Sequence, residues 1–371
     1  MGGDSATRDS LDVGMQKLEN ANLTKKVQTV LGVIDGEELG VTLPHEHLMT
    51  DLTCIFTEPE NETERKLAHE KVGMLALSWL RYHPFQNLDN IRLLDLEEAN
   101  KEAELFKQIG GRSIVDCTVI GMGRNAQNLA RISRRTGLYI IMGSGYYTAP
   151  CHPPKIAEKS EEEITAEIVS DLTDGVNGSG IKSGFIGEIG CSWPLEDNER
   201  KLLSAAAQAQ LQTGACLSIH PGRNPQAPFE IIDMIRDSGV DLRRVIMCHI
   251  DVRLRESNDR LRLAETGCCL EYDTFGWEGH FPSDWTTEDY IDIPNDTQRI
   301  YELQELIEKG FLDQILISHD ICRKTARAGY GGWGYSHILK YGIPMMRQRG
   351  FTQEQLDAIL VENPREMFSY Q

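Results

Sequence analysis

The chain has 371 residues, of which 38 are Lys or Arg and 57 are Asp or Glu, giving a net charge of −19. Such an acidic surface argues against nucleic acid or an anionic membrane face as the main partner, because both need a basic surface. No apolar run approaches the roughly 18 residues of a membrane helix, and the first thirty residues lack the charged-then-apolar order of a signal peptide, so a soluble cytoplasmic protein is expected.

Residues 1–26 are polar with few large apolar groups and read as a flexible N-terminal extension ahead of a single domain over 27–371. From there, apolar β-rich runs fall at 41–48, 113–119, 138–143, 184–189, 215–220, 244–249, 267–273 and 314–320. Amphipathic stretches separate them at 96–109, 125–136, 161–173, 197–213, 227–238, 259–265 and 297–309. Ala99, Ala103 and Phe106 keep helical spacing before Gly110-Gly111 stops the turn, and Thr352-Gln353-Glu354-Gln355 offers a capping box for a closing helix over 353–361.

Strands alternating with helices predict an α/β fold with a parallel sheet, and eight of each predict a (β/α)₈ TIM barrel. An open doubly wound sheet is the rival, but no G-x-G-x-x-G follows the first strand. Residues 50–95 form an insertion able to cover the barrel mouth, and 272–293, with Phe275, Trp277, His280, Phe281 and Trp285, form a second long loop. Nine scattered cysteines without a C-x-x-C pair read as reduced, mostly buried thiols.

Polar residues end several strand runs. His45 and His47 in Leu43-Pro44-His45-Glu46-His47 are two apart, so an extended strand turns both imidazoles to one side and Glu46 to the other. Glu188 closes run 4, His220 run 5, His249 run 6 and Asp320 run 8. Each alone has an ordinary explanation, such as an arginine-paired acid, a hydrogen-bonded core histidine or a helix cap. In a barrel, however, the carboxyl ends of the strands share one face, and four histidines with two carboxylates there suit zinc or a neighbouring divalent ion, with Glu188 as the natural bridge.

Gly40 to His47, Gly187-Glu188-Ile189-Gly190, Ile219-His220-Pro221-Gly222-Arg223, His249 with Asp251, Glu271 to Gly276, and Ser318-His319-Asp320 together resemble the phosphotriesterase branch of the amidohydrolase superfamily. The likeness covers residues 27–371 and is strongest to its animal phosphotriesterase-related subgroup. It implies two divalent ions: His45, His47 and Asp320 hold one, His220 and His249 the other, and Glu188 plus a hydroxide span both. Asp320 then moves the proton, and His319 relays it or orients a ligand. Founding members carry a carboxylated lysine where Glu188 stands, a departure that points away from phosphotriester hydrolysis.

The subgroup resemblance implies cleavage of N-acetyltaurine, and more weakly of N-acetyl amino acids, to acetate and a free amine. Such a small anionic substrate needs a local cation. Arg223, Arg323, Lys324 and Arg327 are the candidates, with Tyr146 and Tyr147 closing the pocket. A homodimer is compatible with this reading. Two alternatives stay open: a lactonase or phosphotriesterase that uses the same metals on an uncharged substrate, and a metal-stabilised binding protein without turnover.

Overall fold

The computed structural model describes residues 24–281 and 291–371. Its centre is one eight-stranded parallel sheet: β1 (Thr42–Glu46), β2 (Ser113–Asp116), β3 (Tyr139–Ser144), β4 (Phe185–Gly190), β5 (Leu217–His220), β6 (Val245–Met247), β7 (Cys269–Tyr272) and β8 (Ile315–Ile317). Spatial order follows chain order from β1 to β8. The seam between β8 and β1 is closed by His45 N–H donating to Ser318 Oγ at 3.2 Å and Asp320 N–H donating to the His45 carbonyl at 3.3 Å.

The crossovers are helices α1 (Leu96–Gln108), α2 (Ala126–Thr136), α3 (Glu161–Thr173), α4 (Asp197–Thr213), α5 (Ala227–Asp237), α6 (Ser257–Ala264) and α7 (Asp296–Glu308). This is the expected (β/α)₈ barrel. The helices start where side chains can serve orphan backbone donors: Asp95 accepts from Glu97 and Glu98 N–H, and Ser160 with Glu163 and Asn295 with Gln298 form capping boxes. The Thr352–Gln355 box is present too, opening a helix over Gln353–Asp357.

Alternation along the strands divides the core. Ile114, Ile140, Leu270, Ile315 and Ile317 pack in the large cluster that includes the helices, while Val115, Ile141, Cys269 and Leu316 join Cys117, Phe185, Cys216, Ile246 and Cys248 in a separate cluster. The second set lies inside the barrel, as side chains alternating across a closed sheet must. Phe368 plugs it, edge-on to Phe185 at 5.6 Å.

Several strand runs end earlier than expected. β6 stops at Met247 and β8 at Ile317, because His249 and Asp320 adopt left-handed backbone angles, φ 59° and 49°. That turn aims the side chain and takes the backbone out of the ladder.

Of the segment assigned to an N-terminal extension, residues 1–23 lie outside the described residues, as does Trp285 of the long loop. Lys25 N–H donates to the Tyr370 carbonyl at 2.7 Å, and Lys26–Thr29 pairs antiparallel with Gly32–Asp35. The expectation of nine reduced thiols is corrected. Cys54, in the insertion after β1, is disulfide-bonded to Cys151, in the loop after β3. Both segments fold over the same end of the barrel, which joins sulfurs 97 residues apart that carry no recognisable spacing in sequence. The other seven cysteines are free and buried. Among the described residues, no helix is long and apolar enough to cross a membrane.

Candidate metal centre

The six expected donors come together at the carboxyl end of the barrel. His45 Nε2 and His47 Nε2 lie 4.0 and 3.3 Å from Asp320 Oδ1, so both rings do face one side. Glu188 Oε2 is 3.7 Å from His45 Nε2, and its Oε1 is 2.7 Å from His220 Nδ1 and 3.0 Å from His249 Nε2. Local backbone irregularity aims these groups: the β1–β2 register shifts between Leu43 and Glu46, and the β4–β5 register between Ile186 and Ile189. Gly187, just before Glu188, has φ +124°, and a Cβ there would sit 2.4 Å from the Ser218 carbonyl oxygen, so the aim requires glycine.

Outer partners fix the imidazoles. His45 Nδ1 meets Glu271 Oε2 at 2.9 Å, His249 Nδ1 meets Asp273 Oδ1 at 2.8 Å, and His47 Nδ1 meets Thr118 Oγ1 at 2.9 Å. With a carboxylate on Nδ1, His45 and His249 keep a proton there and turn Nε2 inward, the orientation a metal-binding histidine needs. Glu46, pointing the other way from β1, accepts from Ser318 Oγ, His319 N–H, His319 Nδ1–H and Ile321 N–H at 2.7–3.0 Å. It staples the end of β8 that carries Asp320.

Whether these residues suit a cation is answered by their unmatched atoms. His45 Nε2 is fully buried and has no hydrogen-bond partner, and His220 Nδ1 and His249 Nε2 lie 2.8 Å apart and converge on the same Glu188 oxygen. The charges adjust accordingly. Burial pushes Glu188 up, yet His45 and His220 outweigh it and hold the carboxyl well below the usual range. Burial pulls His220 down to about 4, whereas at His249 Asp273 and Glu188 overcome burial and raise it to about 9. Imidazole nitrogens and carboxylate oxygens crowded at one enclosed point suit a divalent cation. His45, His47 and Asp320 form one such group, and His45, Glu188 and His249 another.

A cavity of about 310 Å³ opens above the cluster. Leu52, Ile55 and Phe85 from the insertion and Trp277 from the long loop wall it, as their expected place over the mouth requires. Tyr147 lines it, its hydroxyl 3.3 Å from His220 Nδ1, and Arg223 stands on its wall. Tyr146 is buried elsewhere, hydrogen-bonded to Glu167.

The other cations after β8 do not reach this cavity. Arg323 lies buried with its guanidinium 3.6 Å over the Trp277 ring, Lys324 pairs with Asp89 at 2.7 Å, and Arg327, fully buried, donates to the Leu48 carbonyl. His319 is fully buried with both nitrogens engaged away from the cavity, Nδ1 donating to Glu46 and Nε2 accepting from Ile338 N–H at 3.1 Å.

Sequence reasoning gave no role to Glu271, Asp273, Thr118 or Arg253. The first two stand two apart at the end of β7, the same one-sided spacing as His45 and His47. Arg253, on the wall of the cavity, follows His249 by one helical turn in the short helix Ile250–Arg253.

Residues 25–368 match the Phosphotriesterase family. The N-acetyltaurine hydrolase of Bos taurus is 41% identical over 351 residues, spanning 94% of this chain and 99% of that protein. A phosphotriesterase-related protein of Nematostella vectensis is 42% identical over 346 residues, spanning 92% and 98%. The crystal structure of a resiniferatoxin-binding protein from Rhodobacter sphaeroides superposes with a TM-score of 0.89 at 36% identity, covering 93% of this chain and 95% of that one. With its barrel, its converging donors and these relatives, the chain belongs to the phosphotriesterase family and is a hydrolytic enzyme.

Proposed function

We propose that this chain is a binuclear metal-dependent amidase that cleaves N-acetyltaurine, and more weakly N-acetyl amino acids, to acetate and the free amine. One observation carries the reading: one small cavity has five of the six donors on its floor, His45 buried beneath them, and the cations Arg223 and Arg253 on its wall. Its volume lies at the small end of the ~300–1,000 Å³ usual for ligand pockets, which favours a compact substrate over a bulky phosphotriester. The name of the Bos taurus relative agrees with an acylated, anionic amine.

In this reading His45, His47, Glu188, His220, His249 and Asp320 would hold the ions, and the four imidazoles favour zinc. Divalent ions bound there supply Lewis acidity and make water more acidic at neutral pH. Asp320, partly open to the cavity, accepts the proton of the attacking water and returns it to the departing nitrogen. Phe85 and Trp277 keep bulk water from the acyl group. Glu46 and His319 keep the Asp320 turn in place.

The test is acetate release by zinc-loaded protein from N-acetyltaurine, compared with turnover of a γ-lactone and an aryl phosphotriester. N-acetyltaurine should be preferred by a factor of about 100 or more in kcat/KM, a span that buried polar recognition can supply. A preference for the lactone or phosphotriester would assign the centre to uncharged substrates, and the absence of all turnover at full metal content would leave a binding protein.

A further inference from the structure

Arg253 is 6% exposed, yet among the described residues no carboxylate oxygen lies within 4.0 Å of its guanidinium. Other buried arginines are accommodated: Asp251 meets Arg299 Nε at 2.6 Å and Asp296 its Nη1 at 3.0 Å, Arg244 donates to three backbone carbonyls, and Arg323 stacks on Trp277. An uncompensated buried cation is costly, and its natural complement is an anion brought from outside.

The orientation of Arg253 supports that complement. Its Nε donates to the Pro221 carbonyl at 3.0 Å, which fixes the plane of the fork. Nη2 is 3.5 Å from His220 Nε2, at the limit of a hydrogen bond, so most of the Nη donor capacity is unspent beside the cavity that Arg253 lines. The same His220 turns its Nδ1 toward Glu188 and His249. One imidazole ring therefore separates the guanidinium from the donor cluster.

We propose that Arg253 is the receptor for the anionic tail of the substrate, gripping a sulfonate or carboxylate through its two Nη groups. It selects amides whose tail is joined to the scissile nitrogen by a short spacer. This rests on the amidase reading. Arg253 thereby sets specificity, while Arg223, half-buried on the same wall, is the alternative the test must separate.

The experiment compares zinc-loaded wild type, Arg253→Gln, Arg253→Lys and Arg223→Gln on N-acetyltaurine and on the uncharged N-propylacetamide. Zinc content and circular dichroism confirm that each variant is folded and loaded. Arg253→Gln should lower the kcat/KM ratio of the charged to the uncharged amide about 100-fold, chiefly through KM, and Arg253→Lys should restore part of it, because an ammonium keeps the charge but not the fork. Retention of the wild-type ratio by Arg253→Gln, with its loss in Arg223→Gln, overturns the assignment.

Calorimetric titration with propane-1-sulfonate decides the same point without turnover. Wild type binding at least tenfold tighter than Arg253→Gln supports the receptor, and equal binding overturns it. If wild type cleaves neither amide but binds the sulfonate through Arg253, the amidase reading fails and the anion site stands.

Discussion

Two buried polar clusters in this barrel are built on opposite principles. Around Arg299 every strong donor meets an acceptor: Nε reaches Asp251, Nη1 reaches Asp296 and the Trp277 carbonyl, Nη2 reaches Thr274 Oγ1 at 2.6 Å, and His337 closes the far side of Asp296 at 2.6 Å. Around Glu188 ligand atoms outnumber partners: His220 Nδ1 and His249 Nε2, 2.8 Å apart, share one carboxylate oxygen, and His45 Nε2 has no partner. The first cluster pairs every arginine donor, leaving Asp251 Oδ1 over, and contributes to stability. The second crowds ligand atoms that a cation would satisfy, and that is how a candidate site differs from a scaffold.

The largest expected effect comes from removing the residue that touches both halves of the incomplete cluster. Glu188→Ala should lose bound metal by elemental analysis and lower kcat on the order of 10³-fold or more, since metal supplies the nucleophile and the electrophile together. Two ions retained per chain would show that Glu188 does not bridge, and the contrast between the clusters would weaken. Asp320→Asn is the subtler cut. It keeps a ligand-sized group in the same turn, so metal and fold should persist while kcat falls ~10²–10⁴-fold from lost proton transfer. A loss below tenfold in steady-state assays would deny Asp320 that role.

The complete cluster should respond in the other currency, stability. Arg299→Ala strands Asp251 and Asp296 without their shared cation and should cost ~3–5 kcal/mol in urea unfolding of the metal-loaded protein. Metal content of the folded fraction should stay at the wild-type value. If metal is lost in step with stability, the two clusters are one cooperative unit and the comparison fails.

What could be read from the chain follows the same division. The eight strand runs were visible because barrel strands packed on both faces are nearly continuous β-branched and apolar runs, and the six donors were visible because each ends or follows such a run. The ends of β6 and β8 were overdrawn for a physical reason: His249 and Asp320 look like continuing strand in one-letter code, while their left-handed backbone ends the ladder.

Charge placement was harder to read. Arg323, Lys324 and Arg327 follow Asp320 closely, but they turn to an aromatic face, Asp89 and a backbone carbonyl, whereas Arg253 faces the cavity. Nor can linear spacing show that Cys54 meets Cys151, since two separate loops must first fold over one barrel mouth.

Beside the complete cluster lies a carboxyl that is only half compensated, and it offers the smallest effect. Glu302 Oε1 is 3.7 Å from Arg260 Nη1 and 3.9 Å from Arg255 Nη1, too far for hydrogen bonds, and its Oε2 has no partner. Burial therefore outweighs the two arginines and pushes the carboxyl up to about 7. The folded value lies above the unfolded one of about 4.3, so folding takes up a proton between them. The stabilising contribution is full below the unfolded value and is lost as pH rises through about 7. Glu302→Gln, which mimics the protonated form, should thus gain on wild type as pH rises. From pH 5 to pH 8 its relative stability in urea should improve by at most about 2–3 kcal/mol, at ~1.36 kcal/mol per pH unit. Effects of pH on metal binding are common to both proteins and cancel in the difference. A difference that does not change with pH would mean that Arg260 and Arg255 already compensate Glu302 as fully as Asp251 and Asp296 compensate Arg299.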